Sequence, residues 1–167
     1  MGYSTDFEGE FKLDRPLKPE HTAYLLRFAR TRRMKRKADE TILLPDPVRA
    51  AADLPVGVDG EYFVGDEEDF GQLHTPDIVD YDNPPATQPG LWCQWIPTDE
   101  GTEIVWDGNE KFYHYTEWLR YIITHFLARW GYTLNGEVLW YGEDRTDMGT
   151  IEVVDNVVTA RRASVRF

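Results

Sequence analysis

The chain has 167 residues, a formal net charge of −12, and 41% hydrophobic and 14% aromatic residues. A chain of this length buries about two-thirds of its unfolded surface, and disordered acidic chains have few aromatic residues, so we expect one folded domain, residues 1–167. A single cysteine excludes an internal disulfide, no apolar run reaches the ~20 residues of a transmembrane helix, and the first residues lack the regions of a signal peptide. We therefore expect a cytoplasmic protein with no membrane partner.

The first predicted elements are a strand and a helix. Residues 6–13 alternate between apolar and charged side chains, which predicts a half-buried strand. Pro19 suits the first turn of a helix, and a helix is predicted over residues 19–34 with a buried stripe of Thr22, Leu25, Leu26, Phe28 and Ala29. Its far end carries seven cations that suit a helix C-terminus: Arg27, Arg30, Arg32, Arg33, Lys35, Arg36 and Lys37.

Residues 38–109 lose this periodicity and accumulate proline and glycine, which predicts an irregular excursion with short strands. One short strand is expected at residues 60–65. Residues 92–96 and 103–106 predict a hairpin, because the Pro-Thr-Asp-Glu-Gly segment between them favours a turn.

The last third of the chain predicts a long helix and three strands. Apolar residues recur with helical spacing from Tyr115 to Trp130, so a second helix is expected over residues 110–130, with Asn109 as its N-cap and Gly131 just past its end. Residues 136–141, 150–154 and 157–160 predict short strands, and Asp155-Asn156 suits a two-residue hairpin turn.

These elements predict an α+β fold. The simplest packing is an antiparallel sheet of about four strands, formed by the N-terminal strand and the C-terminal three-stranded meander, with both helices covering one face. The charged side chains of the first strand leave the other face exposed to water, as an antiparallel sheet permits.

The C-terminal third also carries a recognisable pattern. Residues 136–158 read G-E-V-L-W-Y-G-E-D, then D-M-G-T-I-E-V-V-D-N-V-V from residue 147. This pattern resembles the end of a group of small uncharacterised proteins from bacteria and their phages, and the similarity extends to residues 31–36 and 89–95. The resemblance implies a phage-related setting and carries no catalytic residues to this chain.

Charge is the least ordinary feature of the sequence. Residues 50–110 contain fifteen Asp and Glu and no Lys or Arg, whereas the other 106 residues sum to +3. A surface of this kind repels nucleic acid and attracts basic proteins. We therefore expect a non-enzymatic binding or inhibitor protein that acts on a basic, nucleic-acid-handling partner through an acidic face made of Asp66, Glu67, Glu68, Asp69, Asp77, Asp80 and Asp82. A solvated acidic loop and a halophilic adaptation are the structural alternatives.

The basic segment has two interpretations. Arg32, Arg33, Lys35 and Arg36 form a candidate patch for phosphate groups, because Arg supplies bidentate donors. The same cations also suit a helix end that neutralises the acidic excursion, and the net charge of −12 opposes nucleic-acid binding.

A small-ligand site is the alternative function. Trp92, Trp95, Trp106, Lys111 and Tyr113 lie near the start of the second predicted helix, where aromatic faces stack a nucleotide base and a helix N-terminus favours a phosphate. The same tryptophans are also explained as core and rim packing.

Catalytic and metal motifs are missing from the sequence. His74, Asp77, Asp80 and Asp82 lack the spacing of a zinc or EF-hand site. Cys93, with His74 or His114, is the one candidate nucleophile pair, and a cysteine between tryptophans is more typical of a buried apolar residue. We expect no catalytic residue, no metal and no cofactor.

Overall fold

The computed structural model describes residues 2–66 and 75–163. The chain forms two compact units. The first, here called the sheet unit, comprises Met1–Leu17 and Gln94–Phe167, and the second, the helical unit, comprises Lys18–Cys93. The predicted α+β class is confirmed, with 24% helix and 28% strand. The expectation of one folded domain stays a prediction.

The described residues contain eight strands and four α-helices. The strands are β1 (Thr5–Leu13), β2 (Lys35–Arg36), β3 (Ile78–Asp80), β4 (Trp95–Pro97), β5 (Glu103–Trp106), β6 (Leu134–Gly142), β7 (Met148–Val154) and β8 (Val157–Arg162). The helices are α1 (Pro19–Arg30), α2 (Ala38–Thr41), α3 (Pro47–Ala51) and α4 (Tyr115–Ile122), with a 3₁₀ turn at Val58–Gly60 and a π-helix at Ile123–Leu127.

The sheet unit is built on one six-stranded antiparallel sheet in the order β4-β5-β1-β6-β7-β8. The predicted four strands, β1 and the meander β6–β8, are all present. The predicted number is wrong because the β4–β5 hairpin, expected from its turn residues, joins the second edge of β1. Phe11 of β1 lies opposite Ile104 of β5, and both are fully buried, so this pairing extends the core.

One face of the sheet is covered by α4 and the π-helix. The apolar side chains of β1 point into this face, where Phe7 lies 5.3 Å from Trp95, 5.8 Å from Phe112 and 5.0 Å from Tyr115, measured between ring centroids. Burial of such large aromatic rings supplies the main driving force for this unit. The opposite face of β1 carries exposed charged side chains, as the alternation predicted.

The second predicted helix is shorter than expected. Its α-helical part begins at Tyr115 rather than at residue 110, because Lys111 and His114 have left-handed φ angles of 61° and 57°. Asn109 is therefore not its N-cap. From Ile123 the backbone widens into the π-helix, and it ends before Gly131, whose φ of 86° fits the predicted position just past a helix.

The helical unit corrects two predictions. The first helix ends at Arg30, because Thr31 is extended, so the cations after it are not part of a helix terminus. Its buried residues are His21, Tyr24, Leu25, Phe28 and Ala29, whereas Thr22 and Leu26 are half-buried. The excursion predicted at residues 38–109 contains α2, α3, β3 and the β4–β5 hairpin. Residues 60–65 do not form the expected strand, because residue 60 ends the 3₁₀ turn, residues 61–62 form a turn and residues 63–65 are irregular.

The close approach of β1 and β6 at Gly136 gives a testable prediction. A Cβ at this position would lie 2.9 Å from the backbone oxygen of Glu10 and 3.1 Å from the Cα of Phe11, at a φ of +140°. Gly136→Ala should therefore lower the free energy of unfolding by about 2 kcal/mol or more, measured by urea denaturation, because it combines backbone strain with a steric clash. Gly108→Ala is the matched control, because Gly108 also has a positive φ of +84° but no heavy atom within 4 Å. An equal cost for both variants would contradict the clash.

Candidate interaction surface

The predicted acidic face is divided by the structure, because Asp77 is inside the helical unit. Its side chain is 3% exposed and accepts hydrogen bonds from Arg36 Nη1 at 2.8 Å and Thr41 Oγ1 at 2.7 Å, and a further short one from Thr75 Oγ1. Burial alone would raise the pKa of Asp77, but these three hydrogen bonds together outweigh it and lower the pKa. Asp77 is thus a buried anion held in its charged form.

The other described members of this face lie at or near the surface. Asp66 and Asp82 are exposed and Asp80 is half-buried. Asp80 is the cross-strand partner of Lys35, and Asp82 Oδ1 lies 3.8 Å from Arg32 Nη2. Glu67, Glu68 and Asp69 lie outside the described residues. Asp77, Asp80 and Asp82 therefore lie against the arginine-rich segment instead of gathering into one free anionic face.

The predicted basic patch contains two internal arginines. Arg33 and Arg36 are 2% and 4% exposed. Arg33 Nη2 donates to the backbone oxygen of Glu61 at 2.6 Å, and its guanidinium lies 4.3 Å from the ring centroid of Phe28. Arg32 and Lys35 are half-buried, and Arg32 Nε donates to the backbone oxygen of Tyr81 at 3.1 Å. These side chains serve the packing of the helical unit and do not present a row of exposed cations.

The residues of the alternative ligand site have different environments in the structure. Trp95 is 1% exposed in the core, where its Nε1 donates to the backbone oxygen of Tyr115 at 2.8 Å. Trp106 is its cross-strand partner and is half-buried. Lys111 is exposed but precedes the first residue of α4, and the hydroxyl of Tyr113 accepts a hydrogen bond from the backbone N–H of Tyr3. Trp92 belongs to the helical unit. The nucleotide site stays a prediction.

The candidate nucleophile Cys93 and the described candidate metal ligands do not form a catalytic pair or a metal site. Cys93 is completely buried, and His114 is exposed at the left-handed residue before α4. His74 lies outside the described residues. Within residues 2–66 and 75–163, no group of three or more His, Cys, Asp or Glu side chains is arranged to hold a metal ion.

A second set of carboxylates, which the sequence did not single out, lies on the exposed face of the sheet. We call this the open face. It displays Asp6, Glu8 and Glu10 of β1, Glu137 of β6 and Glu152 of β7, with Glu103 of β5 beside Lys12. All of these acids except Glu103 fall outside the acidic block at residues 50–110. The sheet unit as a whole has sixteen Asp and Glu against nine Lys and Arg, a formal charge of −7.

Three of these carboxylates form a row across the sheet. Glu10 lies directly opposite Glu137, and Glu137 lies directly opposite Glu152 on the next strand. Adjacent strands are about 4.8 Å apart, so three like charges are held at close spacing. Among the described residues, Asp6, Glu8, Glu10 and Glu137 have no ion-pair partner, and Glu152 has a loose one in Arg161 at 3.9 Å.

The open face also carries apolar side chains beside this row. Leu139 is 37% exposed and lies between Glu8 and Thr150, and Tyr141 and Met148 are half-buried partners at the next position on the same face. Apolar and aromatic groups among polar ones are typical of protein interfaces. The alternation of β1 revealed Glu8 and Glu10 in the sequence, but the row needed the register between β1, β6 and β7.

Comparison with known proteins found no matching protein-family model, no matching curated protein and no matching solved structure. In the part of the chain that the structure describes, no helix is both long enough and apolar enough to cross a bilayer.

The Asp77–Arg36 pair gives a pH-dependent prediction. Asp77→Asn should lower the free energy of unfolding by about 3 kcal/mol at neutral pH, because it leaves Arg36 buried without its charged partner. The folded-state pKa of Asp77 lies below the ordinary value of 3.8, so its stabilisation is present above pH 3.8 and is lost as the pH falls through the folded-state pKa. The difference between wild type and variant should therefore shrink below pH 3.8, measured by chemical denaturation across pH.

The control for this prediction is Asp82→Asn. The Asp82 side chain is 86% exposed, and its ion pair with Arg32 is loose, with 3.8 Å between Asp82 Oδ1 and Arg32 Nη2. An exposed pair of this kind contributes about 0–1 kcal/mol. Equal effects of the two substitutions, or a cost of Asp77→Asn that does not change with pH, would contradict the assignment of Asp77 as the central anion of the helical unit.

Proposed function

We propose that this protein is a non-enzymatic binding or inhibitor protein that acts on a basic, nucleic-acid-handling protein through the open face of its sheet unit. The observation that carries the proposal is the row of Glu10, Glu137 and Glu152 on three adjacent strands. The acidic surface is thereby assigned to the sheet rather than to the central excursion, whose Asp77 is internal.

The energetics of the row support a binding role. Like charges directly opposite one another in a sheet are destabilising by a few tenths of a kcal/mol up to about 1 kcal/mol per pair. Glutamate is also a poor strand former. The chain nevertheless places three glutamates together with one loose counter-ion, Arg161, among the described residues. A cationic partner would remove this repulsion, so binding and relief of the repulsion are coupled.

The surroundings of the row support a protein partner. Leu139, Tyr141 and Met148 supply apolar area next to the carboxylates. A simple cation or a flexible polycation gains little from such area, whereas a folded basic protein buries it at the centre of the contact and keeps the charges around it.

A nucleic-acid-handling partner follows from the same charges. Proteins that grip a phosphate backbone present rows of Lys and Arg, and their affinity is dominated by that electrostatic contact. A rigid row of carboxylates competes for such a groove and would do so with a strong dependence on salt. The resemblance of residues 136–158 to bacterial and phage proteins supports a phage-related, cytoplasmic setting.

The proposal is tested with a double variant of the row. Glu10→Gln combined with Glu137→Gln should weaken capture of basic partners from a bacterial lysate roughly tenfold at low salt, because two charges at the centre of the face are removed. The same variant should raise the free energy of unfolding by about 0.5–1 kcal/mol, because it removes both like-charge contacts of the row. Quantitative pull-down and urea denaturation measure the two effects.

The matched control is Glu100→Gln combined with Glu110→Gln, which makes the same change of net charge at two exposed positions outside the strands. It should leave both capture and stability nearly unchanged. The proposal fails if wild-type capture does not change between low and high salt, or if the control variant loses as much capture as the row variant.

A further inference from the structure

β8 is one of the two outer strands of the six-stranded sheet, and part of its backbone points away from β7. The backbone N–H of Ala163 donates to the backbone oxygen of Met148, and hydrogen-bonded pairs alternate with non-hydrogen-bonded pairs along an antiparallel ladder. Val158, Ala160 and Arg162 are therefore the residues whose N–H and C=O groups point outwards. The 3.3 Å hydrogen bond from Arg120 Nη2 to the backbone oxygen of Val158 agrees with this assignment.

The opposite edge of the sheet is closed to further strands. β4 has three residues, and in its ladder with β5 the backbone groups of Trp95 and Pro97 are the ones that point away from β5. Pro97 has no N–H, and Trp95 is 1% exposed. Natural proteins protect sheet edges in this way. Among the residues that the structure describes, the corresponding protection at β8 is limited to Arg120, and Ala160 and Arg162 are exposed.

We infer that β8 pairs with β8 of a second copy of this chain, so that two sheets join into one antiparallel sheet of twelve strands. In the favoured register Ala160 lies opposite Ala160 of the other copy, and Val158 lies opposite Arg162. This register uses all three outward-pointing residues in three hydrogen-bonded pairs. It is self-complementary, as a two-fold symmetric interface must be.

Charge disfavours one of the two neighbouring registers. Shifting it in one direction places Arg161 opposite Arg161 of the second copy, which sets like charges directly against one another. In the favoured register Arg161 lies opposite Thr159, whose own partner on β7 is Glu152. Thr159 then separates Glu152 of one copy from Arg161 of the other, and Arg161 is 63% exposed and has one loose ion pair, so its long side chain is available to this carboxylate.

The symmetry has a consequence for the open face. A two-fold axis perpendicular to the sheet keeps the same face upwards in both copies, so the two rows of glutamates lie on one side. Two linked copies of a binding surface engage a long or multivalent partner more tightly than one. The pairing itself rests on the β8 backbone and does not require the proposed function.

The size of the contact sets the expected strength. One pair of edge strands buries an area at the small end of specific interfaces. Arg120 also competes for the Val158 carbonyl, which the second copy needs. We therefore expect a reversible dimer whose population rises with concentration.

Ala160→Pro is the decisive variant. The N–H of Ala160 is not used by β7, so proline at this edge position removes outward hydrogen bonds while the β7–β8 ladder is kept. By symmetry it removes both bonds of the central pair, and the dissociation constant should rise roughly tenfold or more. Ala160→Thr, which keeps the N–H, is the matched control and should dimerise like wild type. Sedimentation equilibrium over a range of concentrations measures the change, and urea denaturation checks that both variants are folded.

Arg120→Met gives a second, opposite effect. It removes the competing donor from the Val158 carbonyl while it retains most of the side-chain length, so it should strengthen the dimer several-fold. The inference is overturned if wild type stays monomeric at every concentration, or if folded Ala160→Pro dimerises as well as Ala160→Thr. Loss of dimerisation by Ala160→Pro with unchanged capture of basic partners would support the inference and leave the proposed function standing, whereas a wild-type protein that dimerises normally but shows no salt-dependent capture would count against the proposed function alone.

Discussion

The antiparallel pairing of β1 with β6 is the constraint on which the sheet unit depends. It joins nine residues near the start of the chain, Thr5–Leu13, to nine residues more than a hundred positions later, Leu134–Gly142. Because side chains alternate across a strand, this one register decides which residues enter the core and which remain on the open face. It places Phe11 against the aromatic core and Glu10 against Glu137. The core and the proposed interaction surface are thus two faces of the same pairing.

The helical unit depends on a different kind of interaction, an ion pair inside the unit. Arg36 of β2 and Asp77, which immediately precedes β3, connect the two strands through a 2.8 Å contact between Arg36 Nη1 and Asp77 Oδ2. Thr41 and Thr75 donate the remaining hydrogen bonds to the carboxylate. Separating the members of such a buried pair would leave an uncompensated charge inside the unit, so the pair disfavours arrangements in which β2 and β3 move apart. This explains how a proline- and glycine-rich segment with few regular elements keeps a defined structure.

Local patterns in the sequence predicted the local structure well, and the long-range arrangement less well. Three local patterns were sufficient to predict the elements that contain them, because each is a property of neighbouring residues. They are the alternation of β1, the hairpin turn at Asp155-Asn156 and the apolar spacing around Trp118. The attachment of the β4–β5 hairpin to β1 was not predictable, since no short-range signal states which edge a hairpin joins. The end of α1 at Arg30 was missed because arginines and lysines are good helix formers, and tertiary contacts of Arg33 and Arg36 override that preference.

The candidate site shows the same limit. The charge count along the chain indicated residues 50–110 as the acidic surface, but some carboxylates of this segment form internal ion pairs and hydrogen bonds. The row on the open face combines residues from three strands that are separated by up to 142 positions, and the sequence pattern identifies only Glu10 as an exposed strand residue. Only the register makes them neighbours. A charge profile along the sequence therefore underestimates the clustering of negative charge on the sheet and overestimates the exposed negative charge of the excursion.

The position of β1 in the middle of the sheet has a consequence for biosynthesis. Both of its hydrogen-bonding neighbours, β5 and β6, are translated long after it. The nascent chain therefore carries β1 without a partner until β5 has been made, and without its longer partner until β6 has been made, and such non-local pairing is slow. Asp6, Glu8 and Glu10 interrupt the apolar residues of that strand, and charges so placed discourage nascent chains from aggregating through it. Glu10, which faces the like charge of Glu137 in the native sheet, is thus also one of the acids that protect the chain before it folds.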